Sequence, residues 1–373
     1  MKTEILIVGC GLSGAVIAEQ LANKYNKKVT IIDKRPHIGG NCYDYIDAQT
    51  NIRVNKYGAH LFHTNDEEVW EYINKFSKWI RYDHKVVANI DKRNVSVPVN
   101  METINIICNE HLQTIEQTKE WLEKNQIKFE NPKNSEEIAL SRVGKQIYEK
   151  LFLPYTLKQW NKHPKDLDSS VLSRIPVKYD NDTRYFTDKY QVIPEKGYTS
   201  FFESLLSNPN IEVLLNTSFD DINIEYDQLI FTGPIDSYFK DSGLEALEYR
   251  SLKFEEEIIL NKGFAQQYMV INTPSLDIAT TRAIEYKHLP YIENINNPHT
   301  IIIKEYPSDF GEPYYPVPNN KNQELYNKYK YLAESIQNKN IHMIGRLANY
   351  KYFNMDQAIR NALDYIPNII RLM

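Results

Sequence analysis

Short apolar runs open the chain and return in its second half, with longer, spaced apolar patterns between them. This alternation predicts an α/β protein. Residues 4–8, Glu-Ile-Leu-Ile-Val, form a compact run that ends at glycine, and 15–24 then place Ala15, Ile17, Ala18 and Leu21 on one side at helical spacing. A second run at 29–32 ends at Asp33, so the opening reads as strand, glycine turn, helix, strand, a βαβ unit. From about 102 to 160 the apolar positions Ile104, Ile107, Leu112, Ile115, Trp121, Leu122, Ile138, Val143 and Ile147 are spaced for helices, which predicts a helical insertion. Strand-like runs return at 213–215, 229–232, 269–271 and 300–303, and 341–346 predicts a last strand followed by a helix from about Met355. No repeat or low-complexity linker separates these pieces, which implies interleaved domains.

Composition narrows the class. Hydrophobic residues at 42% and charged residues at 25% are ordinary for a globular chain, and 373 residues suffice for two or three domains. The net charge of -5, with no run of Lys and Arg, argues against nucleic acid as a partner. No segment approaches the roughly 20 apolar residues of a membrane span, and the first residues lack the pattern of a signal peptide. Cys10, Cys42 and Cys108 are few and scattered, so a reduced cytosol is the expected compartment. Tyrosine stands out, 27 against 14 Phe and 4 Trp. Its ring can stack and its hydroxyl can bond phosphate or sugar, although the chain's richness in Asn, Ile and Lys points equally to a broad compositional bias.

The chemistry-bearing signal is Gly9-x-Gly11-x-x-Gly14 between the first strand and its helix, with Asp33 nineteen residues later. In this setting the first glycine permits the tight turn, the second lets a pyrophosphate approach the backbone, and the third lets helix and strand pack closely. The helix N-terminus faces the phosphates and Asp33 is placed to accept hydrogen bonds from ribose hydroxyls. A further pair, Gly39-Gly40, follows Lys34 and Arg35, and no second G-x-G-x-x-G exists. One long bound dinucleotide is implied, with FAD preferred over NAD. His60 and His63 sit three apart, yet Gly58 argues against a regular helix there and no nearby Cys or carboxylate completes a set, so no metal is expected. Cys10 and Cys42, inside the nucleotide motifs and without a general base nearby, read as packing residues.

Further motifs carry a family resemblance from end to end: Ile38-Gly-Gly-Asn41, Tyr57-Gly-Ala-His-Leu-Phe-His-Thr64, Tyr155-Thr-Leu-Lys-Gln-Trp160, Arg174-Ile-Pro-Val177, Gly233-Pro-Ile-Asp236, Thr281-Arg282, Lys304-Glu-Tyr306, Pro313-Tyr-Tyr-Pro316, Gly345-Arg-Leu347 and Tyr350-Lys-Tyr352. The chain resembles the UDP-galactopyranose mutases. That resemblance implies an α/β fold with a discontinuous Rossmann-like FAD-binding domain (1–81, 195–240 and 340–373), an inserted helical substrate domain with a mobile loop (99–180), and an antiparallel β-sheet domain (82–98, 181–194 and 241–339). It implies interconversion of UDP-galactopyranose and UDP-galactofuranose. Reduced flavin N5 attacks the anomeric carbon, UDP leaves, and an iminium holds the opened sugar until it recloses. The nucleophile then belongs to the cofactor, which accounts for the lack of a recognisable triad or carboxylate pair.

Carried onto this sequence, the resemblance implies Arg174 and Arg282 as a diphosphate-binding pair that favours the leaving of UDP, with His63 beside the flavin as the third catalytic candidate. Cofactor contacts are expected from Gly9, Gly11, Leu12, Ser13, Gly14, Asp33, Lys34, Gly40, Asn41, His60, Leu61, Gly233, Arg346 and Met355. Substrate contacts are expected from Phe152, Tyr155, Thr156, Trp160, Tyr185, Phe186, Asn272, Tyr315, Tyr352 and His84, with Tyr155 placed to stack on uracil. The pattern is departed from at His84, Leu151, Pro154 and Asn354, where Asn, an aromatic, Gly and Asp are common, and at Asp33 in place of Glu. The implied partners are UDP-galactose and an external electron donor, and a homodimer is left open. The competing reading is a flavin-dependent oxidase or dehydrogenase of the amine-oxidase type, which shares the N-terminal signature. A non-enzymatic FAD-binding or nucleotide-sugar-sensing protein is the third class.

Overall fold

The computed structural model describes residues 2–337 and 340–373. Its first sheet is wholly parallel, in the order Ile211–Leu214, Val29–Ile32, Lys2–Val8, Glu225–Phe231, Ile341–Met343. Ile5, Leu6 and Ile7 are fully buried in succession, as a strand covered on both faces requires. The helix Leu12–Tyr25 follows the first strand, and Ala15, Val16, Ile17, Ala18 and Leu21 are all buried. The burial of Val16 beside the expected stripe has a simple cause: the C-terminal helix Met355–Arg371 packs on the same helix and joins its core through Ile359, Ala362 and Ile366. That C-terminal helix starts at the expected residue, with Asn354 and Gln357 forming a capping box.

The insertion is helical as expected, with Met101–Cys108, Ile115–Asn125, Ser135–Ile147 and Leu153–Trp160. Asn100, Thr114 and Asn134 each accept a hydrogen bond from a backbone N–H of the first turn. A wide turn of π type, Tyr148–Phe152, leads into the last of these helices. A seven-stranded sheet runs in the order Tyr315–Pro316, Tyr249–Ile259, Thr300–Ser308, Arg282–Glu285, Val270–Asn272, Val86–Ile90, Arg93–Ser96. Its pairings are antiparallel except Val270–Asn272 with Val86–Ile90, which run parallel. Helices and sheet share one apolar core, in which Ile104, Leu122, Trp160, Ala88, Ile284 and Ile301 meet.

Of the seven strands the apolar pattern anticipated those at 269–271 and 300–303; the other five were not expected from it, and two of them show why. Tyr249–Ile259 carries Glu255, Glu256 and Glu257 in a row, which reads as a loop. In the fold these residues edge an exposed face, where Lys304 on the neighbouring strand lies 2.8 Å from Glu257. Arg282–Glu285 is too short and too charged to register as a strand by itself. A three-stranded sheet of Phe62–Thr64, Tyr190–Pro194 and Trp79–Arg81 ties distant parts of the sequence together and sets His63 opposite Gln191.

Candidate functional site

The dinucleotide motif lies where the parallel strands end, with Lys2–Val8 between the strand leading to Asp33 and the strand leading to Gly233. Gly9 adopts a φ of +104°, and a Cβ there would fall 2.2 Å from Thr232 Oγ1. A Cβ on Gly14 would fall 2.0 Å from the Gly9 carbonyl oxygen. Gly11 faces Gly40 across the turn: a Cβ on Gly40 would approach Gly11 Cα to 2.9 Å, whereas one on Gly11 meets nothing nearer than 3.9 Å. Gly11 is therefore kept small for something other than the protein itself, which suits a group laid against the backbone. Asp33 accepts from the backbone N–H groups of Cys10 (2.8 Å) and Arg35 (2.9 Å), and each carboxylate oxygen keeps a lone pair for a ribose hydroxyl. Arg35 donates to Asn41 Oδ1 at 2.9 Å and so ties the end of the second strand to the second glycine turn. Ser13 is buried under Gly345, Leu12 opens the helix, and Met355 Sδ lies 3.7 Å from Cys42 Sγ. Among the expected cofactor contacts Lys34 is turned aside, its ammonium 2.7 Å from Glu312 on the exposed rim. The residues present fit an extended dinucleotide.

Next to this cradle three guanidiniums converge on a group of tyrosines. Arg174 lies 4.3 Å from the centre of the Tyr352 ring, and Arg346 lies 5.7 Å from the same ring and 5.4 Å from Tyr315. Tyr315 and Tyr352 stack at 5.6 Å, and Trp160 closes on Tyr315 at 6.2 Å. Arg282 interacts electrostatically with Tyr155, Tyr315 and Tyr352, and Tyr185 with Arg174 and Arg282. Burial opposes ionisation of the Tyr352 phenol, yet Arg174 and Arg346 outweigh it and hold its pKa below the ordinary value. Such an excess of positive charge calls for an anion. Arg346 also reaches the Tyr314 carbonyl and interacts with Cys42, so it stands where cradle and clamp meet.

On the other flank His63 stacks on Phe186 at 3.7 Å, and Phe186 packs edge-on against Tyr185 at 5.1 Å. His60 places Nδ1 2.9 Å from the Gly58 carbonyl. Burial, then Arg346 and Arg282, push its pKa down to about 4. Burial, with Arg282 and His63, pushes His84 down to about 3. Both imidazoles are neutral at physiological pH. Asn272 is buried and pairs in register with Arg282. Phe152 and Thr156 are enclosed in the helical region, with Phe152 in the shared core, whereas Tyr155 on the same helix reaches Arg282. Leu61 packs against that core from the nucleotide side.

Two side chains that sequence reasoning did not assign hold this site in shape. Glu305 is the cross-strand partner of Arg282 and accepts from its Nε at 2.6 Å. A Cβ on Gly58 would fall 2.7 Å from the other oxygen of Glu305, so the glycine of Tyr57-Gly-Ala-His makes room for that carboxylate. Asp188 accepts from His63 Nδ1 at 2.9 Å and from Asn65 Nδ2 at 2.8 Å. Lys304-Glu-Tyr306 was visible as a motif, but only strand register shows whom the glutamate faces. No local pattern marks Asp188. Among the described residues no group of three or more His, Cys, Asp or Glu side chains is placed to hold a metal, and no helix is long and apolar enough to cross a membrane.

Comparison with known proteins gives concordant results. A family model described as UDP-galactopyranose mutase matches residues 150–352, and one for an NAD(P)-binding Rossmann-like domain matches residues 7–76. The chain is 38% identical to a dTDP-fucopyranose mutase of Escherichia coli over 98% of its own length and 99% of the relative's. It is also 38% identical to a probable UDP-galactopyranose mutase of Klebsiella pneumoniae, over 96% and 92%. Among solved structures, a reduced UDP-galactopyranose mutase superposes with a TM-score of 0.77 at 15% identity, covering 100% of this chain and 95% of the other, and so shares the fold.

Proposed function

The chain belongs to the UDP-galactopyranose mutase family, and from that premise we propose that it interconverts the pyranose and furanose rings of UDP-galactose with reduced FAD. The observation that carries this reading is the convergence of Arg174, Arg282 and Arg346 with Tyr315 and Tyr352 at the edge of the glycine cradle. Reduced flavin bound there supplies the nucleophile for the anomeric carbon. The protein's own residues manage the leaving group. As the bond to the diphosphate weakens, negative charge grows on its β-phosphate, and guanidiniums held by the fold stabilise that charge without reorganising. Tyr155 and Trp160 flank the nucleoside side. His63 is held through Nδ1 by Asp188 and lies flat against Phe186, beside the space where the sugar would sit. An arginine-lined anion site favours a diphosphate-bearing sugar over the oxidase reading, which shares the N-terminal signature and the fold.

A second substrate is favoured by one comparison: a dTDP-fucopyranose mutase is as similar to this chain as the UDP-galactopyranose mutase is. In this chain His84 and Leu151 stand where Asn and an aromatic are common in the resembled family, so a thymidine diphosphate 6-deoxyhexose is the alternative. The deciding experiment incubates dithionite-reduced protein with UDP-galactofuranose and, separately, with dTDP-fucopyranose, and resolves the products by chromatography. Ring-isomerised UDP-galactose in the first reaction, only when flavin is reduced, is the expected result. Turnover of the dTDP-sugar alone replaces the substrate, and turnover of neither removes the reading.

A further inference from the structure

The segment that carries Arg174 is tied down at both ends. At its start the Asp168 N–H donates to the Pro318 carbonyl at 2.9 Å, and Ser135 Oγ donates to the Asp168 carbonyl at 2.5 Å. At its end Val99 N donates to the Pro176 carbonyl at 3.1 Å, and Lys178 N returns to the Val99 carbonyl at 2.7 Å. Between these ties lies a one-turn helix, Ser170–Ser173, whose backbone hydrogen bonds are internal to the segment. So short a helix leaves its last carbonyls without helical partners. One side chain from outside reaches two of them: Arg142, on the helix Ser135–Ile147, donates from Nη1 to the Leu172 carbonyl at 3.1 Å, which also accepts from the Ile175 N–H, and to the Ser173 carbonyl at 2.9 Å. Apart from bonds to the adjoining Asp168, this is the polar link among the described residues between the backbone of 169–175 and the rest of the molecule; Val171 and Leu172 add apolar contact with the core.

The Ser173 carbonyl belongs to the peptide unit that carries the Arg174 N–H, and that unit is planar. Fixing its oxygen fixes the plane, and with it the direction in which Arg174 leaves the backbone. An apolar anchor can hold the segment near the core, but only a directional bond sets that plane. We propose that Arg142 is the positioning residue that delivers Arg174 to the diphosphate clamp. It touches no substrate atom and acts through the backbone of its neighbour. This rests on reading Arg174 as a phosphate ligand.

The test compares Arg142→Gln, Arg142→Lys, Arg174→Ala and the double variant Arg142→Gln/Arg174→Ala as reduced holoenzymes, measuring turnover of UDP-galactofuranose and the affinity for UDP by titration. Losing a pair of charge-assisted bonds should lower kcat/KM roughly tenfold and weaken UDP binding in parallel. Flavin content and melting temperature should stay at wild-type values, and Arg142→Lys, which can reach one carbonyl, should recover part of the loss. In the Arg174→Ala background Arg142→Gln should cost less than about twofold, because residues that act as a unit are non-additive. An undiminished tenfold loss in that background overturns the proposal, as does a loss accompanied by missing flavin or a lower melting temperature that lysine does not restore. If Arg174→Ala binds UDP like wild type, the clamp reading falls and the proposal with it. If Arg174→Ala weakens UDP and Arg142→Gln does not, the proposal alone falls.

Discussion

A guanidinium meant for phosphate must be held without being used up. Glu305 takes Arg282 through Nε, which leaves the terminal nitrogens to grip phosphate oxygens in a plane. Each charge-assisted contact is worth roughly 1.5–3 kcal/mol, so Arg174→Ala or Arg282→Ala should lower kcat/KM about tenfold to a hundredfold in steady-state assays, with flavin retained. Lysine at either position should restore only part, and Glu305→Gln should impair turnover through Arg282 while Arg174 remains in place. The histidines predict a pH effect. His84 and His60 have folded pKa values lowered from 6.5 to about 3 and about 4. Below pH 6.5 the unfolded chain binds protons that the folded one refuses, so stability is full above that pH and falls as the pH drops toward 4. The slope approaches ~1.4 kcal/mol per pH unit for each such group. Melting curves from pH 7 to 4.5 should show this decline, and His84→Asn should make it shallower; an unchanged slope would mean that His84 is already protonated in the folded protein.

At the scale of elements, what could be read from the sequence was what local rules write. The first βαβ unit was legible because glycine positions and a 3.6-residue stripe are local signals, and the insertion was legible from its spacing. The start of the last helix was legible too, with Asn354 and Gln357 now seen to cap it. The long strand Tyr249–Ile259 was not, because Glu255 and Glu257 pair with a lysine some fifty positions away in sequence and Glu256 accepts from the still more distant Tyr45, which no window contains. The same distance hid the site's internal partners. Arg282 faces Glu305 through strand register and His63 faces Asp188 through the three-stranded sheet, and register is a long-range property. The glycine turn yields a prediction that separates packing from ligand. A methyl on Gly14 collides with backbone at 2.0 Å, whereas on Gly11 it has open space to 3.9 Å. Gly14→Ala should lower both melting temperature and flavin content. Gly11→Ala should lower flavin content while the flavin-free protein melts as the wild type does. Equal effects from the two would show that Gly11 is also a packing residue.

Across the whole molecule, two large apolar cores stand beside two smaller clusters. One core joins the helical insertion to the seven-stranded sheet, and another lies around the parallel sheet and the first and last helices. The glycine cradle belongs to the second, while Tyr315 and Tyr185 pack against the first, so a ligand bridging cradle and clamp bridges both cores. On the proposed reading local charge draws the diphosphate to that boundary: the chain as a whole is at -5, and the guanidiniums must supply a positive field against that background. On the proposed reading the segment from about 161 to 179 completes the clamp; it is held to the first core by the buried side chains Leu167, Val171 and Leu172, by backbone bonds at its ends and by Arg142, and a local segment of this kind opens at a free energy set by those contacts and below that of global unfolding. Bound UDP adds contacts only to the form in which Arg174 is in place, so it should shift the segment toward that form by its differential affinity. Limited trypsin digestion reads this directly, because Lys162, Lys165, Arg174 and Lys178 all lie in or beside the segment. Saturating UDP should slow cleavage after Arg174 by roughly tenfold, as expected when cleavage tracks the open population, and Arg174→Lys, which keeps a trypsin site but loses the planar grip, should be protected less. Cleavage at Arg174 that proceeds at the same rate with and without UDP would mean that the segment does not respond to the diphosphate.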